Sequence, residues 1–404
     1  MVSTTDSSSD QELQSRIAYV TQKIKTQFGR TDEPSVIVSP YRINPLGAHI
    51  DHQGGSVLAR TVDEYTILAF YPLNSSRVVL HCDNGKNADS AAAFDIGNNS
   101  SDENWIRYAM ASASSFAGFA PGTKGFSGLV YGSLVGAGLS SSASVILAYI
   151  GGFAHVNGIE LTNAELVELA RQVENDHMGL NNGIQDQMSI VFGREDALSL
   201  LHMETTTASY INDPPNINDV CWVICYSGFS RELVSSGFND RVRECREAAN
   251  LLDSSAAHLG QVGSEYRSEQ HIAKLPGHLG RRATHVYDES RRVSKGCSAW
   301  QAGSWKAFGQ LMNQSCESSI SNYECGSPAM IDLQNIALAQ PAVYGSRFGG
   351  GGYGGCLNML VKRDQADLVK DRVLELFLQR YPEKRGIAKS FIATAENNAR
   401  LIYT

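Results

Sequence analysis

The apolar positions of this chain change period several times, and each change marks an element. Leu13, Ile17, Val20, Ile24 and Phe28 recur at helical spacing. They predict an amphipathic opening helix, with Ser9 and Glu12 reading as a capping box and Gly29 as the stop. The β-rich run SVIVSP predicts a strand, Asn44 to Gly55 a turn-rich segment, and Tyr65 to Phe70 and Arg77 to His81 further strands. Residues 83–103 are polar and predict a loop. A helix is expected from Trp105 to Phe119, a second through 145–154 behind a Gly/Ser-rich stretch, and a third from Asn163 to Asp176. In that third helix Leu166, Leu169, Ala170 and Val173 form one stripe after a cap at Thr162 or Asn163. The second half predicts a strand at Val220 to Tyr226, long helical stretches over about 239–316, and a Gly-rich strand and turn region at 345–362. No internal repeat is visible.

Length adds a boundary to this pattern. At 404 residues the chain exceeds one comfortable core, so two domains are expected. The stretch TTTASYINDPPNIND, 205–219, holds two prolines among small polar residues and predicts the connection, with domains at 1–212 and 213–404. Hydrophobic residues make up 42% and charged residues 19%, and the formal charge is −8. That balance gives no electrostatic reason for a nucleic-acid partner. The opening MVSTTDSSSD does not read as a secretory signal, and the apolar stretch from Ala143 to Val156 falls short of a membrane span. A cytoplasmic protein is expected. The eight cysteines show no CxxC pair and no zinc-type His set, so reduced thiols are expected; Cys221 and Cys225 in CWVIC belong to a buried strand.

Three segments concentrate chemistry. SPYRINPLGAHIDHQGG, 39–55, carries Arg42, His49, Asp51 and His52 in a turn-rich stretch after a strand; alone it is compatible with a solvated loop. YGSLVGAGLSSSASVILAY, 131–149, runs Gly136, Gly138 and three serines straight into an apolar helix. Free backbone N–H groups and the positive end of a helix dipole make such a turn an anion cradle, although plain helix starts look similar. No GK[ST] follows, so it is not a Walker motif. SRFGGGGYGGC, 346–356, has six glycines between 349 and 355, a pattern shared by close backbone packing on a ligand and by a simple glycine-rich hairpin.

In this order and spacing the three segments resemble the signatures of the GHMP superfamily of small-molecule kinases, and galactokinases in particular. The resemblance extends from about Val36 to the C-terminus. It implies an α+β, two-domain fold with a mixed-sheet nucleotide-binding domain, a ferredoxin-like C-terminal domain and the active site in the cleft between them. It also implies ATP and Mg²⁺ as cofactors and a small sugar as partner; the oligomeric state stays open, with a monomer favoured.

By the resemblance, Gly136, Ala137, Gly138, Leu139, Ser140, Ser141 and Ser142 hold the ATP phosphates, with Ser142 and Glu174 of VENDHMG facing the metal. GIQDQ at 183–187 implies Asp186 as the catalytic carboxylate, with Arg42 as its partner. Ala48, His49, Asp51, Asn182 and Gly183 are expected at the sugar. Trp105 and Tyr108 lie where relatives hold adenine, although aromatics at this spacing are more often core residues. Phe238, in SSGFNDR, stands where galactokinases usually carry a tyrosine.

One position turns the expectation toward an acidic sugar. Galactokinases typically read G-E-H where this chain has Gly47, Ala48 and His49. A carboxylate on the sugar facing that glutamate would cost about 4 kcal/mol at ~4 Å and an effective dielectric of ~20. Alanine removes this repulsion and also deletes the acceptor for a neutral hydroxyl. The form PYRI-x-PLGAHIDHQGG and the later NYECG, 322–326, are similar to galacturonokinases. The implied activity is phosphorylation of the anomeric hydroxyl of galacturonic acid. A galactokinase and a non-catalytic sugar sensor on the same fold are the alternatives. The cation that would pair with the sugar carboxylate is not legible, and Arg231 and Arg241 are guesses by proximity.

Overall fold

The computed structural model describes residues 6–84, 89–97, 104–177, 179, 183–229 and 237–402. Strand β1 (Ser35–Leu46) shows how the first half is built. Val36 and Val38 face one way, into a cluster with Leu13, Ile17, Val20 and Ile24 of helix α1 (Asp6–Phe28). Ile37 faces the other way, into the main core. This two-residue alternation places a layer on each face of the sheet.

β1 pairs antiparallel with β2 (Val57–Pro72), which pairs with β5 (Phe126–Gly132); β5 then runs parallel to β3 (Arg77–Asp83). β4 (Ser90–Asp95) lies at the far edge, and β6 (Ala197–His202) with β7 (Thr207–Asn212) attaches to β2. The sheet is therefore mixed. Helices α2 (Arg107–Phe119), α3 (Ser141–Val156), α4 (Asn163–Gln172) and α5 (Gln185–Val191) accompany it, α2 to α4 contributing Phe116, Phe153 and Leu169 to the main core.

The second sheet has the order β11, β8, β10, β9, formed by β8 (Val220–Tyr226), β9 (Val343–Phe348), β10 (Cys356–Lys362) and β11 (Lys389–Ala393). On β8 the alternation repeats: Cys221, Val223 and Cys225 join one cluster with Phe377 of α11 (Ala366–Arg380), while Trp222 and Ile224 join the main core. Between β8 and β9 run α6 (Phe238–Leu252), the short α7 (Glu269–Ile272), α8 (Gly277–Gln301), α9 (Trp305–Ser321) and α10 (Pro328–Leu338). The main core, which holds Phe116 and Trp300 alike, ties the two halves together. None of the eight cysteines is joined in a disulfide. Among the described residues no helix is long and apolar enough to cross a membrane.

Four local expectations need correction. α1 is already helical at Ser9, so Ser9 is not its N-cap. Residues 83–103 include β4, an edge strand whose outer positions are exposed and therefore polar or small. The stretch 205–219 contains β7, whose half-exposed hairpin side disguises it as linker. The third helix gives way at Val173 to a π-turn through His177, and Thr162 caps it by a reciprocal capping box with Glu165. The chain crosses from the first sheet to the second between Asn212 and Val220. Beyond that crossing, β12 (Arg400–Ile402) returns to pair with β1, so the 213–404 half contributes a strand to the first sheet.

Candidate active site

Two register shifts in β1, between Pro40 and Tyr41 and between Ile43 and Leu46, flank Arg42 and re-aim the strand there. The Arg42 side chain is 1% exposed. Its Nε and Nη2 donate to Oδ1 of Asp186 at 3.0 and 2.6 Å. Its Nη1 donates to the carbonyls of Gly138 at 3.3 Å and Gly349 at 2.8 Å, and its backbone N–H to that of Leu139 at 3.1 Å. One arginine thus fastens all three chemical segments to the carboxylate at the start of α5. A buried guanidinium satisfied in this way is held in a single orientation.

The cavity around it is lined by residues from both halves, including Arg42, Ala48, His49, Asp51, Glu174, Gly183, Asp186, Arg347 and Gly349 to Gly351. Glu174, at 2% exposure, accepts from the amide of Gln187 at 2.8 Å. Asn44 links the layers by donating to Ser189 at 3.2 Å and accepting from Gln185 at 3.1 Å.

The phosphate-type turn has the backbone its glycines predict. Gly136, Gly138 and Ser140 have φ of 78°, 83° and 62°, all left-handed, and Ser140 enters α3 with no side-chain cap. The opening N–H groups of α3 are therefore left for another acceptor. Ser141 Oγ accepts from Gly136 N–H at 3.0 Å, closing the loop on itself. The third segment lies directly against it: a Cβ on Gly355 would stand 2.8 Å from the Ala137 carbonyl oxygen. That contact, not a free hairpin, is why glycine is required there.

On the opposite wall, α8 holds the turn carrying Ala48. Glu289 Oε1 accepts from the N–H groups of Gly47 at 2.7 Å and Ala48 at 2.9 Å and from Ser315 Oγ at 2.7 Å. Arg292 donates to its other oxygen at 2.7 Å. Burial opposes the Glu289 charge, but Arg292 and these donors win and lower its pKa to about 2. His285 Nε2 lies 2.8 Å from the Ala48 carbonyl, and burial lowers its pKa to about 4, so it is neutral. His49 has φ 59° and stacks on Tyr323 at 4.5 Å, while the Tyr323 hydroxyl meets His52 Nε2 at 3.0 Å. Asp51 crowds Gly183 so closely that a Cβ there would fall 2.1 Å from its Oδ2.

The GHMP kinases N terminal domain matches residues 106–194, the galactokinase galactose-binding signature residues 23–72, and the GHMP kinases C terminal domain residues 298–378. The galacturonokinase of Arabidopsis thaliana is 32% identical over 399 residues, covering 93% of each chain. The chain belongs to the GHMP kinases, in the galactokinase branch. A galactokinase of Limosilactobacillus reuteri (strain DSM 20016) is 31% identical over 88% of this chain and 92% of its own. The crystal structure of Lactococcus lactis galactokinase complexed with galactose superposes with a TM-score of 0.87 at 27% identity, covering 95% of this chain and 99% of that one. This GHMP kinase is therefore a sugar kinase of galactokinase or galacturonokinase type with the corresponding two-domain fold, and the family implies use of ATP.

Of the residues expected at the site of this kinase, Arg42, Ala48, His49, Asp51, Glu174, Gly183 and Asp186 line one cavity. Residues 136–142 form the turn that Arg42 grips. Trp105 and Tyr108 are half-buried before and within the first turn of α2 and pack on the main core, and neither lines that cavity. Asn182, Arg231 and the Phe238 side chain lie outside the described residues. Arg241 is committed to Glu244 at 2.6 Å and Glu324 at 3.4 Å. Sequence reasoning missed His285, Glu289 and Arg347. Polar groups four apart on a helix otherwise rich in buried positions were the available signal for the first two.

Proposed function

We propose that this enzyme transfers the γ-phosphoryl group of ATP to the anomeric hydroxyl of D-galacturonic acid, giving galacturonic acid 1-phosphate and ADP. The observation that carries the substrate is Ala48. It lines the cavity with its backbone clamped by Glu289 and His285, so a methyl group stands where galactokinases typically present a glutamate. An acidic sugar meets no like charge from that position, and a neutral sugar finds no acceptor there.

In this reading Asp186 accepts or orients the proton of the anomeric hydroxyl, and Arg42 both fixes that carboxylate and offers positive charge to the transferring phosphoryl group. Residues 136–142 cradle the ATP phosphates with backbone N–H groups, and Trp105 borders the adenine. His49, Asp51 and Gly183 take the sugar hydroxyls. Among the described residues no group of three or more metal-type side chains stands together. A Glu174 carboxylate oriented by Gln187 and a serine at the helix start fit magnesium, which takes one or two protein oxygens plus substrate phosphates. Ser142 and Glu174 would hold Mg²⁺, and the ion would neutralise phosphate charge. Residues 1–212 and 213–404 would then act as the two walls of the cleft.

ADP release with galacturonic acid and with galactose at equal concentration tests the reading. A kcat/KM for galacturonic acid at least about tenfold higher is expected. A preference for galactose by the same factor overturns it, and no turnover with either sugar points to a sensor.

A further inference from the structure

The cavity wall contains a guanidinium group whose hydrogen bonding the described residues leave incomplete. Arg347, on β9, is 5% exposed and lines the same cavity as Ala48. Its Nη1 is buried with no hydrogen-bond partner among the described residues. The nearest buried carboxylate is already used: Glu289 accepts from Gly47, Ala48, Ser315 and Arg292. Asn358, opposite Arg347 on β10, is a neutral amide whose own polar atoms also lack partners.

Counting charge around the cavity sharpens this. Arg42 is offset by Asp186, Glu289 by Arg292, and Asp51 by His52 at 3.3 Å. Glu174 lies on the metal side of the proposed site. Arg347 shares the field of Glu289 with Arg292, but its buried Nη1 is left without a hydrogen bond, an arrangement that costs stability unless a ligand completes it.

We infer that Arg347 binds the carboxylate on the exocyclic carbon of the sugar, through the space that Ala48 leaves open. This rests on the galacturonic acid reading and supplies the cation that the sequence did not reveal. It also assigns Ala48 a second role, because a glutamate at that position would neutralise Arg347 instead of a substrate carboxylate.

The experiment measures kcat/KM of the wild type, Arg347→Met and Arg347→Lys for galacturonic acid and galactose with ATP and Mg²⁺. The wild-type preference tests the substrate reading on its own. Given that preference, Arg347→Met is expected to lose at least about thirtyfold on galacturonic acid, chiefly in KM, and less than about threefold on galactose. Arg347→Lys should recover part of the loss. Equal losses on both sugars, or none, overturn the inference while leaving the substrate reading intact. Should Arg347→Met fail to fold, thermal unfolding of Ala48→Glu against Ala48→Gln decides: a Tm higher by about 2 °C for the glutamate variant supports a free cation at that wall. An equal or lower Tm overturns it.

Discussion

Arg42 and Arg347 stand in the wall of one cavity, both almost wholly withdrawn from water, yet their surroundings are opposite. Arg42 has a carboxylate and two carbonyls as acceptors, while no hydrogen bond reaches the buried Nη1 of Arg347. The first is a joint of the protein, and the second is a fitting left for something the protein binds. The difference is one of completion, since burial is nearly the same.

The sharpest way to break this comparison is to make Arg42 resemble Arg347. Asp186→Ala strips Arg42 of its carboxylate and is expected to lower turnover by about 10³-fold, with ATP affinity by calorimetry nearly unchanged. Unchanged turnover would refute the role given to Asp186. The next effect concerns Glu289, whose charge acts on Arg347 as well as on Arg292. Burial disfavours the charge of Glu289, but Arg292 and its donors bring its pKa from the ordinary 4.5 to about 2. A depressed carboxylate stabilises the fold above pH ~4.5, and the contribution, about 3 kcal/mol, disappears as pH falls through about 2. Denaturant unfolding between about pH 5 and pH 2 should show that loss, and Glu289→Gln should flatten it; an identical acid slope in the variant would assign the loss elsewhere.

Arg42→Lys keeps the charge without the fork that reaches Asp186, Gly138 and Gly349 together. It should cost about 10²-fold in kcat with a smaller change in sugar KM, and a wild-type kcat would show that charge alone suffices. The smallest effect is expected at the contact between the two glycine-rich turns. Gly355→Ala puts a side chain at φ +87° against the Ala137 carbonyl and should cost about 2 kcal/mol. Calorimetry reads this as a lower Tm, and an unchanged Tm would mean the turns can separate freely.

What the sequence revealed and hid follows the same division. The strand Val220–Tyr226 was legible to the residue as a continuous apolar run, because each of its faces meets a different core. The strand Ser90–Asp95 was hidden, since an edge strand buries little and reads as loop. Arg42, Asp51 and Asp186 could be named because each lies inside a local motif. Glu289 and Arg347 come from remote segments, the first to hold the backbone of position 48 and the second to line the same cavity, and only the tertiary fold brings them there. Arg347 was hidden for a further reason: its buried Nη1 has no hydrogen-bond partner among the described residues, so no complementary donor–acceptor pair could point to it.

The strand that carries Arg42 has a neighbour whose lateness matters. Val36, Ile37 and Val38 pair with Ile402, Leu401 and Arg400, far along the chain from them. During synthesis that flank of the sheet stays uncovered until Arg400 to Ile402 have been made, and loop closure over such a span is slow. A ribosome that stalls shortly before Arg400 would release a chain holding every group of the cavity wall but an open β-edge, ready to recruit a stray strand.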